Sequence, residues 1–499
     1  MDGRDKRSGS LPMSDRLILA LIAVIGLIYL VTLRAGHVWG DDFSQYLWHA
    51  RNLVHGAPYG QTRFVPNPHV IVGPRAYPPV FPLLLAPVYA VFGPNLEIMK
   101  VEMVLCLVLF LVAYARLMRG ELPPLGVALA VCVVGLNPRF WDFKDHVGSD
   151  FPFLLVVYGA LVCVSRWQRR SGVTDPGPGR GLLAGLMIYV ACGTRALGVA
   201  LIPALALSEL LRARRWTRFA TAGVVVAAGI WTVEQALIPS GYGHELATLF
   251  SRRTVLVNAI GYLEDFSNVW STGTWTRFFE HTLAGVILGA AVLTALVRLR
   301  LRPTIAEAFL LFYMVGLLFW PSRQGVRFLL PMVPLCVFYA SVGGLALARD
   351  LPARWAPLQA ASLAGICLLL YGAYARHYAE VLPGQVAEGV GRPASRELFA
   401  WVRTHTAPDE LLVFRKPRAL YFFTDRPTTP YHRPADPEEL WRHFREVGAR
   451  VLIVQDHPED AYLREIVRRH PERLRPVYTN AEFVVYRFAW VSSPEPDSG

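Results

Sequence analysis

Apolar residues in this chain gather into runs separated by short basic stretches. The runs are long enough to cross a bilayer, which takes about 20 residues apiece. Windows of about 19 residues place spans near 17–33, 98–117, 122–138, 151–167, 181–194, 196–211, 217–238, 281–298, 303–320, 326–347 and 355–375. The run at 80–93 is apolar but too short to cross easily, and Pro78-Pro79 opens it as an interfacial or re-entrant helix. The pattern predicts an α-helical polytopic membrane domain of about eleven transmembrane helices over 17–375.

Two regions depart from that pattern. In the segment 34–96, Phe43, Tyr46, Leu47, Ala50, Leu53 and Val54 recur at helical spacing, while Gln45, His49, Arg51 and Asn52 fall between them. That is an amphipathic helix expected to lie in the membrane interface. From 376 to 490 the chain changes register to a small α/β domain. Helices are expected at 395–406, 437–447 (Asp436 as N-cap) and 462–470, strands at 411–414 and 451–455, and a closing hairpin from 476–478 with 482–488. The piece 491–499 reads as a disordered tail, and 1–16 as a cytoplasmic N-terminus.

Composition agrees with the membrane reading. Of 499 residues, 53% are hydrophobic and 18% charged, where a soluble protein is nearer a quarter charged. The net charge of +12 is unevenly placed: from Arg376 onward 18 Lys+Arg balance 18 Asp+Glu, so the excess belongs to the membrane part. There it carries topology rather than nucleic-acid affinity. With 80–93 left on the surface, the clusters Arg4–Arg16, Arg116/Arg119, Arg166–Arg170, Arg212–Arg218 and Arg298–Arg302 fall on one side. The positive-inside rule then sets a cytoplasmic N-terminus and an outward C-terminal domain, periplasmic or extracellular. The first run follows basic residues as a signal peptide does, but no small-residue cleavage site follows it, so it reads as a retained helix. All six cysteines lie in apolar runs, which excludes disulfides and thiolate metal sites.

The outward segments carry the candidate chemistry. The first reads W-G-D-D-F-S-Q-Y-L-W-H-A-R-N-L-V-H-G from Trp39 to Gly56, followed by Tyr77-Pro78-Pro79-Val80-Phe81-Pro82-Leu83. Ser149-Asp150-Phe151-Pro152-Phe153 enters one later span, and Arg327-Phe328-Leu329-Leu330-Pro331-Met332-Val333-Pro334 opens another. This order resembles the superfamily C membrane glycosyltransferases, in particular the clan of protein mannosyltransferases and aminoarabinose transferases (glycosyltransferase family 39-like). The family's first outward loop has an Asp-Glu pair, a Tyr soon after, a helix like Ala50-Arg51-Asn52-Leu53 and a Tyr-Pro-Pro segment. Its Glu is Asp42 here, shorter by one methylene.

The resemblance implies sugar transfer, with inversion, from a polyprenyl-phosphate donor to a protein, lipid or glycan acceptor at the outer face of the bacterial inner membrane. Such a reaction needs a base for the acceptor hydroxyl and cations for the departing phosphate. Asp41 aligns with the family's first acid and is the expected base; Asp42 is expected to orient sugar or acceptor. Arginine suits phosphate because its planar fork matches the oxygens, and Arg195, Arg327 and Arg75 are the candidates, with Arg323 mostly solvated. Tyr46, Asp145, His146 and Asp150 are candidates for the sugar and acceptor pocket; Asp150 is alternatively a helix cap. Asp142, Asp145 and His146 leave room for a divalent cation, although no cofactor is called for, and a solvated loop or pocket wall is the plainer reading. His37, His49 and His55 match no zinc spacing and read as polar surface. Two other readings stand beside the transferase: a transporter or flippase for lipid-linked sugars, and an inactive sugar- or lipid-binding scaffold.

Overall fold

A computed structural model describes residues 12–70, 72–238, 252–271, 277–320, 323–350, 370–372, 374–380 and 388–490, with isolated positions at 352, 354, 365, 368 and 386. The chain is mostly helical, with a small sheet near its C-terminus, and divides into two compact units. One comprises residues 12–33, 78–81 and 100–383; the other comprises 34–77, 82–99 and 384–490. The terminal segments 1–11 and 491–499, Cys367 and most of the expected span at 355–375 lie outside the described residues.

The first unit is a bundle of apolar helices, and the protein is a multi-pass membrane protein. Among the described residues seven helices are long and apolar enough to cross a bilayer: Met13–Val31, Leu96–Met118, Asp150–Ser171, Ala196–Ala213, Arg218–Leu237, Arg277–Leu301 and Val333–Asp350. The expected crossing at 122–138 is a bent pair, Pro124–Gly135 and Pro138–Asp145, at 49°. Two helices are apolar but shorter, Val80–Phe92 and Ile305–Phe319. The expected continuous span at 326–347 is broken into Val326–Leu329 and Val333–Asp350. Pro331 and Pro334 account for the break, since neither offers an N–H to the preceding turn.

Helix contacts in this unit follow membrane rules, where small residues let backbones approach. A Cβ on Gly181 or Gly185 of the helix Pro178–Thr194 would come within 2.5 and 2.6 Å of the Phe219 and Gly223 carbonyl oxygens on the helix Arg218–Leu237. Several arginines counted in the basic clusters are paired here. Arg298 bonds Glu121 and Glu307, each at 3.0 Å, and Arg169 meets Glu121 at 3.0 Å.

The second unit holds the sheet. Its strands are β1 (Leu412–Val413), β2 (Thr428–Thr429), β3 (Val451–Gln455), β4 (Leu474–Thr479) and β5 (Phe483–Phe488), in the order β2-β1-β3-β5-β4. The first three run parallel; β5 is antiparallel to both β3 and β4. Alternate residues of β3 serve opposite faces. Leu452 and Val454 join Leu440, Trp441, Phe444, Leu463 and Ile466 from the helices Pro437–Glu446 and Ala461–Arg469. Asp436 caps the first of these, accepting from the Glu438 N–H at 3.0 Å. The helix Pro417–Thr424 and strand β2 are additions to the expected elements.

The segment 34–77 is built into this unit. Trp39 is buried with its ring edge-on to Phe399, Phe414 and Phe483 at 5.3–5.9 Å. Phe64 bridges Thr428 in parallel, extending the sheet beyond β2. His37 O accepts from the Val390 N–H at 3.0 Å. At Gly389, with φ +142°, a Cβ would fall 1.8 Å from that same carbonyl oxygen, so only glycine fits. Replacing Trp39 with Ala should destabilise this unit by about 3–5 kcal/mol. Limited proteolysis and thermal unfolding of the purified protein check this; a loss below about 1 kcal/mol would remove Trp39 as the wedge between loop and sheet.

Candidate active site

Asp41 and Asp42 open the helix Asp41–His55, in whose first turn backbone N–H groups favour negative charge. Gly40 supplies no capping side chain. The Asp41 Oδ1 instead receives the Ala419 N–H at 3.3 Å from the helix Pro417–Thr424. Burial pushes the Asp41 carboxyl up to about 7. Lys416 and Arg418, and the Ala419 N–H, pull the other way, while Asp42 adds to the rise. Loss of hydration wins, as it does for a carboxylate deprived of water without a close ion pair.

Asp42 is held differently. Its Oδ1 accepts from the Tyr77 hydroxyl at 2.5 Å, and that hydroxyl accepts from Arg418 Nη1 at 3.1 Å. Arg418 is fully buried, and its Nη2 donates to the Gly73 and Pro74 carbonyls at 2.8 and 2.7 Å. The tyrosine of the Tyr-Pro-Pro segment therefore links the acid pair to a buried cation from the C-terminal part of the chain.

The polar residues between the apolar ones of the first-loop helix are not at a surface. Gln45, His49 and Asn52 are buried, and so is His37; the expectation of a polar outer face for the helix is corrected. Their bonds explain the burial. His49 Nδ1 donates to Tyr59 O at 2.9 Å, and its Nε2 accepts from Gln45 and from the Tyr77 N–H at 3.1 and 3.3 Å. Burial first, and then Arg418, lowers the His49 pKa to about 4, so the ring is neutral. Gln45 also donates to Arg75 O at 3.1 Å and accepts from the Tyr421 hydroxyl. Arg51 is the exception; it stays partly exposed near Asp425.

Other candidates fall as follows. Tyr46 is buried with its ring 4.4 Å from Tyr77. Arg75 shares the unit of Asp41, and it is exposed. Arg195 and Arg327 belong to the first unit, where both bind one carboxylate. Asp150 Oδ1 receives Arg195 Nη1 at 2.5 Å, and Arg327 Nε reaches Oδ1 and Oδ2 at 3.1 and 3.0 Å. Asp150 thus does not cap its helix; Ser149 occupies that position. Two guanidiniums against one carboxylate leave the cluster with net positive charge, and Phe328 packs under Arg195 at 4.9 Å. Arg323 is 40% exposed and meets Asp265 at 3.5 Å.

The cation candidate at Asp142, Asp145 and His146 is not assembled. Asp145 is taken by Lys144 Nζ at 2.7 Å, both buried, with that ammonium 3.4 Å from the Trp141 ring centroid. Asp142 faces His377 at 3.5 Å.

Arg418 is the residue that sequence reading missed. The local signal, Pro417 opening a short helix, was present. Its bonding to residues 341–345 positions earlier in the chain has no local trace.

No family model and no curated protein matches the sequence. Solved structures do match the fold. ArnT from Cupriavidus metallidurans in the apo state covers 97% of this chain and 100% of its own, at 16% identity and TM-score 0.58. The same protein bound to undecaprenyl phosphate gives 14% identity over 96% of this chain and 99% of its own, with TM-score 0.53. The archaeal oligosaccharyltransferase AglB from Archaeoglobus fulgidus, in complex with an inhibitory peptide and a dolichol-phosphate, covers 88% of this chain and 69% of its own. Its identity is 12% and its TM-score 0.55.

Asp150→Ala would leave two guanidiniums without their shared partner at a mostly buried site. A loss of about 3–5 kcal/mol is expected, with Arg195→Ala and Arg327→Ala each milder because one ion pair survives. Thermal unfolding in detergent ranks the three; an Asp150→Ala protein as stable as the unmutated chain would mean that this cluster is not what fixes the span.

Proposed function

We propose that this chain, which has the fold of the superfamily C membrane glycosyltransferases, moves a monosaccharide from a polyprenyl-phosphate donor to an acceptor hydroxyl. The reaction takes place at the outer face of a bacterial inner membrane. The observation that carries this reading is the Asp41 carboxyl, partly exposed and with its pKa raised to about 7. A general base works best with a pKa near the operating pH.

In this reading Asp41 takes the proton of the acceptor hydroxyl as that oxygen bonds to the anomeric carbon. The bond from that carbon to the phosphate oxygen breaks, its electron pair leaves on the polyprenyl phosphate, and the configuration inverts. Asp42, fixed by Tyr77 and through it by Arg418, orients the sugar or acceptor. Arg195 and Arg327 stabilise the charge that grows on the leaving phosphate, and Asp150 holds them in place. Two guanidiniums balanced by one carboxylate still attract a phosphate, and the fixed carboxylate removes the reorganisation that two loose arginines would need.

The orientation follows from the basic loops: N-terminus cytoplasmic, residues 376–490 outside. A reporter fused after Gly499 that scored as cytoplasmic would reverse it.

Asp41→Asn should lower transfer by about 10²–10⁴-fold while the protein remains folded in the membrane. For the unmutated enzyme, kcat/KM should rise with pH up to about 7 and level off above, because the ionised carboxylate is the active form. Lys416 lowers the Asp41 pKa, so Lys416→Met should move that rising limb to higher pH. Transfer assays with a lipid-linked donor across this pH range test both. Near-normal turnover by Asp41→Asn, or a limb that Lys416→Met leaves in place, would count against Asp41 as the base.

A further inference from the structure

The second unit carries a cluster of imidazoles that sugar transfer does not use. His69 lies in the first-loop segment, His432 follows β2, and Glu439 and His443 sit one turn apart on the helix Pro437–Glu446. Ligand atoms of His69, His432 and Glu439 all lie within 4.8 Å of one another, and among the described residues no other group of His, Cys, Asp and Glu meets that test. The His69 and His432 rings stack at 4.5 Å; His443 stands 5.2 Å from His432 and 6.0 Å from His69.

One feature of the cluster has no explanation in packing alone. His432 and His443 are 8% and 7% exposed, and the Nε2 of each is buried without a hydrogen-bond partner. The carboxylate facing His432 Nε2 is Glu439 Oε1 at 3.7 Å, beyond hydrogen-bond length. Buried polar atoms normally find partners.

We propose that His69, His432 and Glu439 bind a zinc-type divalent cation, with water in the fourth position. Two histidines and one carboxylate form a known zinc donor set. Around a tetrahedral ion with bonds of about 2.1 Å, donors stand about 3.4 Å apart, so rotation of the exposed His69 ring and of the Glu439 side chain closes the site. Asn67 stands behind it: its Nδ2 donates to Pro430 O at 3.1 Å and reaches His432 Nδ1 at 3.3 Å, and its Oδ1 accepts from the His69 N–H at 2.9 Å. The long His432 contact is the one a loaded ring gives up, because its Nδ1 then carries the proton. The ion would staple residues 67–70 to the turn after β2 and to the helix Pro437–Glu446.

The test uses the full chain in detergent, purified without a histidine tag and treated with chelator, with zinc alone as the probe. Unmutated protein should retain stoichiometric zinc through gel filtration, and zinc should raise its thermal midpoint. Glu439→Gln, a change at a half-exposed side chain that leaves folding intact, and His69→Ala should each lose the metal and the shift. His457→Ala, at a histidine paired instead with Glu388, should keep both. Zinc retention by the unmutated protein no greater than by Glu439→Gln would overturn the proposal, leaving His432 and Glu439 as an ordinary ion pair.

Discussion

A guanidinium with no exposed surface must find its partners inside the protein, because burying a charge unpaired is among the largest penalties a fold can carry. Arg418 meets that constraint through Nη1 and Nη2, which donate to the hydroxyl of Tyr77 and to the backbone carbonyls of Gly73 and Pro74, while its Nε has no hydrogen-bond partner among the described residues. Each of those acceptors belongs to the segment 34–77. The charge is satisfied only when residues 73–77 close over it. Tyr77 is then committed to Asp42, and the neighbouring backbone N–H of Ala419 to Asp41. The C-terminal α/β region and the acid pair form one folded object for this reason.

The polar residues of the Asp41–His55 helix make sense in the same frame. Gln45 and His49 grip the segment through Arg75 and Tyr77, and Asn52 donates to the carbonyls of Pro58, Tyr59 and Gln61. Trp48 lies edge-on to Tyr421 at 4.8 Å on the side toward the helix Pro417–Thr424. A helix that is amphipathic by pattern is here buried on both faces from Phe43 to Ala50, its polar face spent on ordering the loop.

The two groups of charged residues are prepared differently. Asp150 carries two direct arginine ion pairs, an arrangement that fixes the cations. Among the described residues Asp41 has one long backbone bond and no ion pair of its own, so dehydration governs it. Carboxylates pushed apart in this way by their surroundings take different chemical roles. The breaks at Pro331 and Pro334 and the bend after Gly135 belong to the same logic. Irregular backbone at membrane depth survives only where protein or a cavity surrounds it, and Arg327 and the buried Lys144–Asp145 pair stand beside those irregular stretches.

Much of this was legible in one dimension. Membrane helices are long because the bilayer is thick, so hydropathy placed Leu96–Met118, Asp150–Ser171 and Arg277–Leu301 within a few residues. Strand β3 and the Asp436 cap were equally plain, since a short continuous apolar run and a capping side chain are local signals. Acidic and basic candidates were visible as residue types set against their expected surroundings. What the sequence could not disclose were the pairings. Asp150 meets Arg195 and Arg327 across 45 and 177 residues, and Arg418 meets Tyr77 across 341. Hydrophobic periodicity records which face of an element is buried and is silent on what covers it. Partner choice among charges depends on packing in three dimensions, and only the tertiary structure made Arg418 the hub of the acid pair.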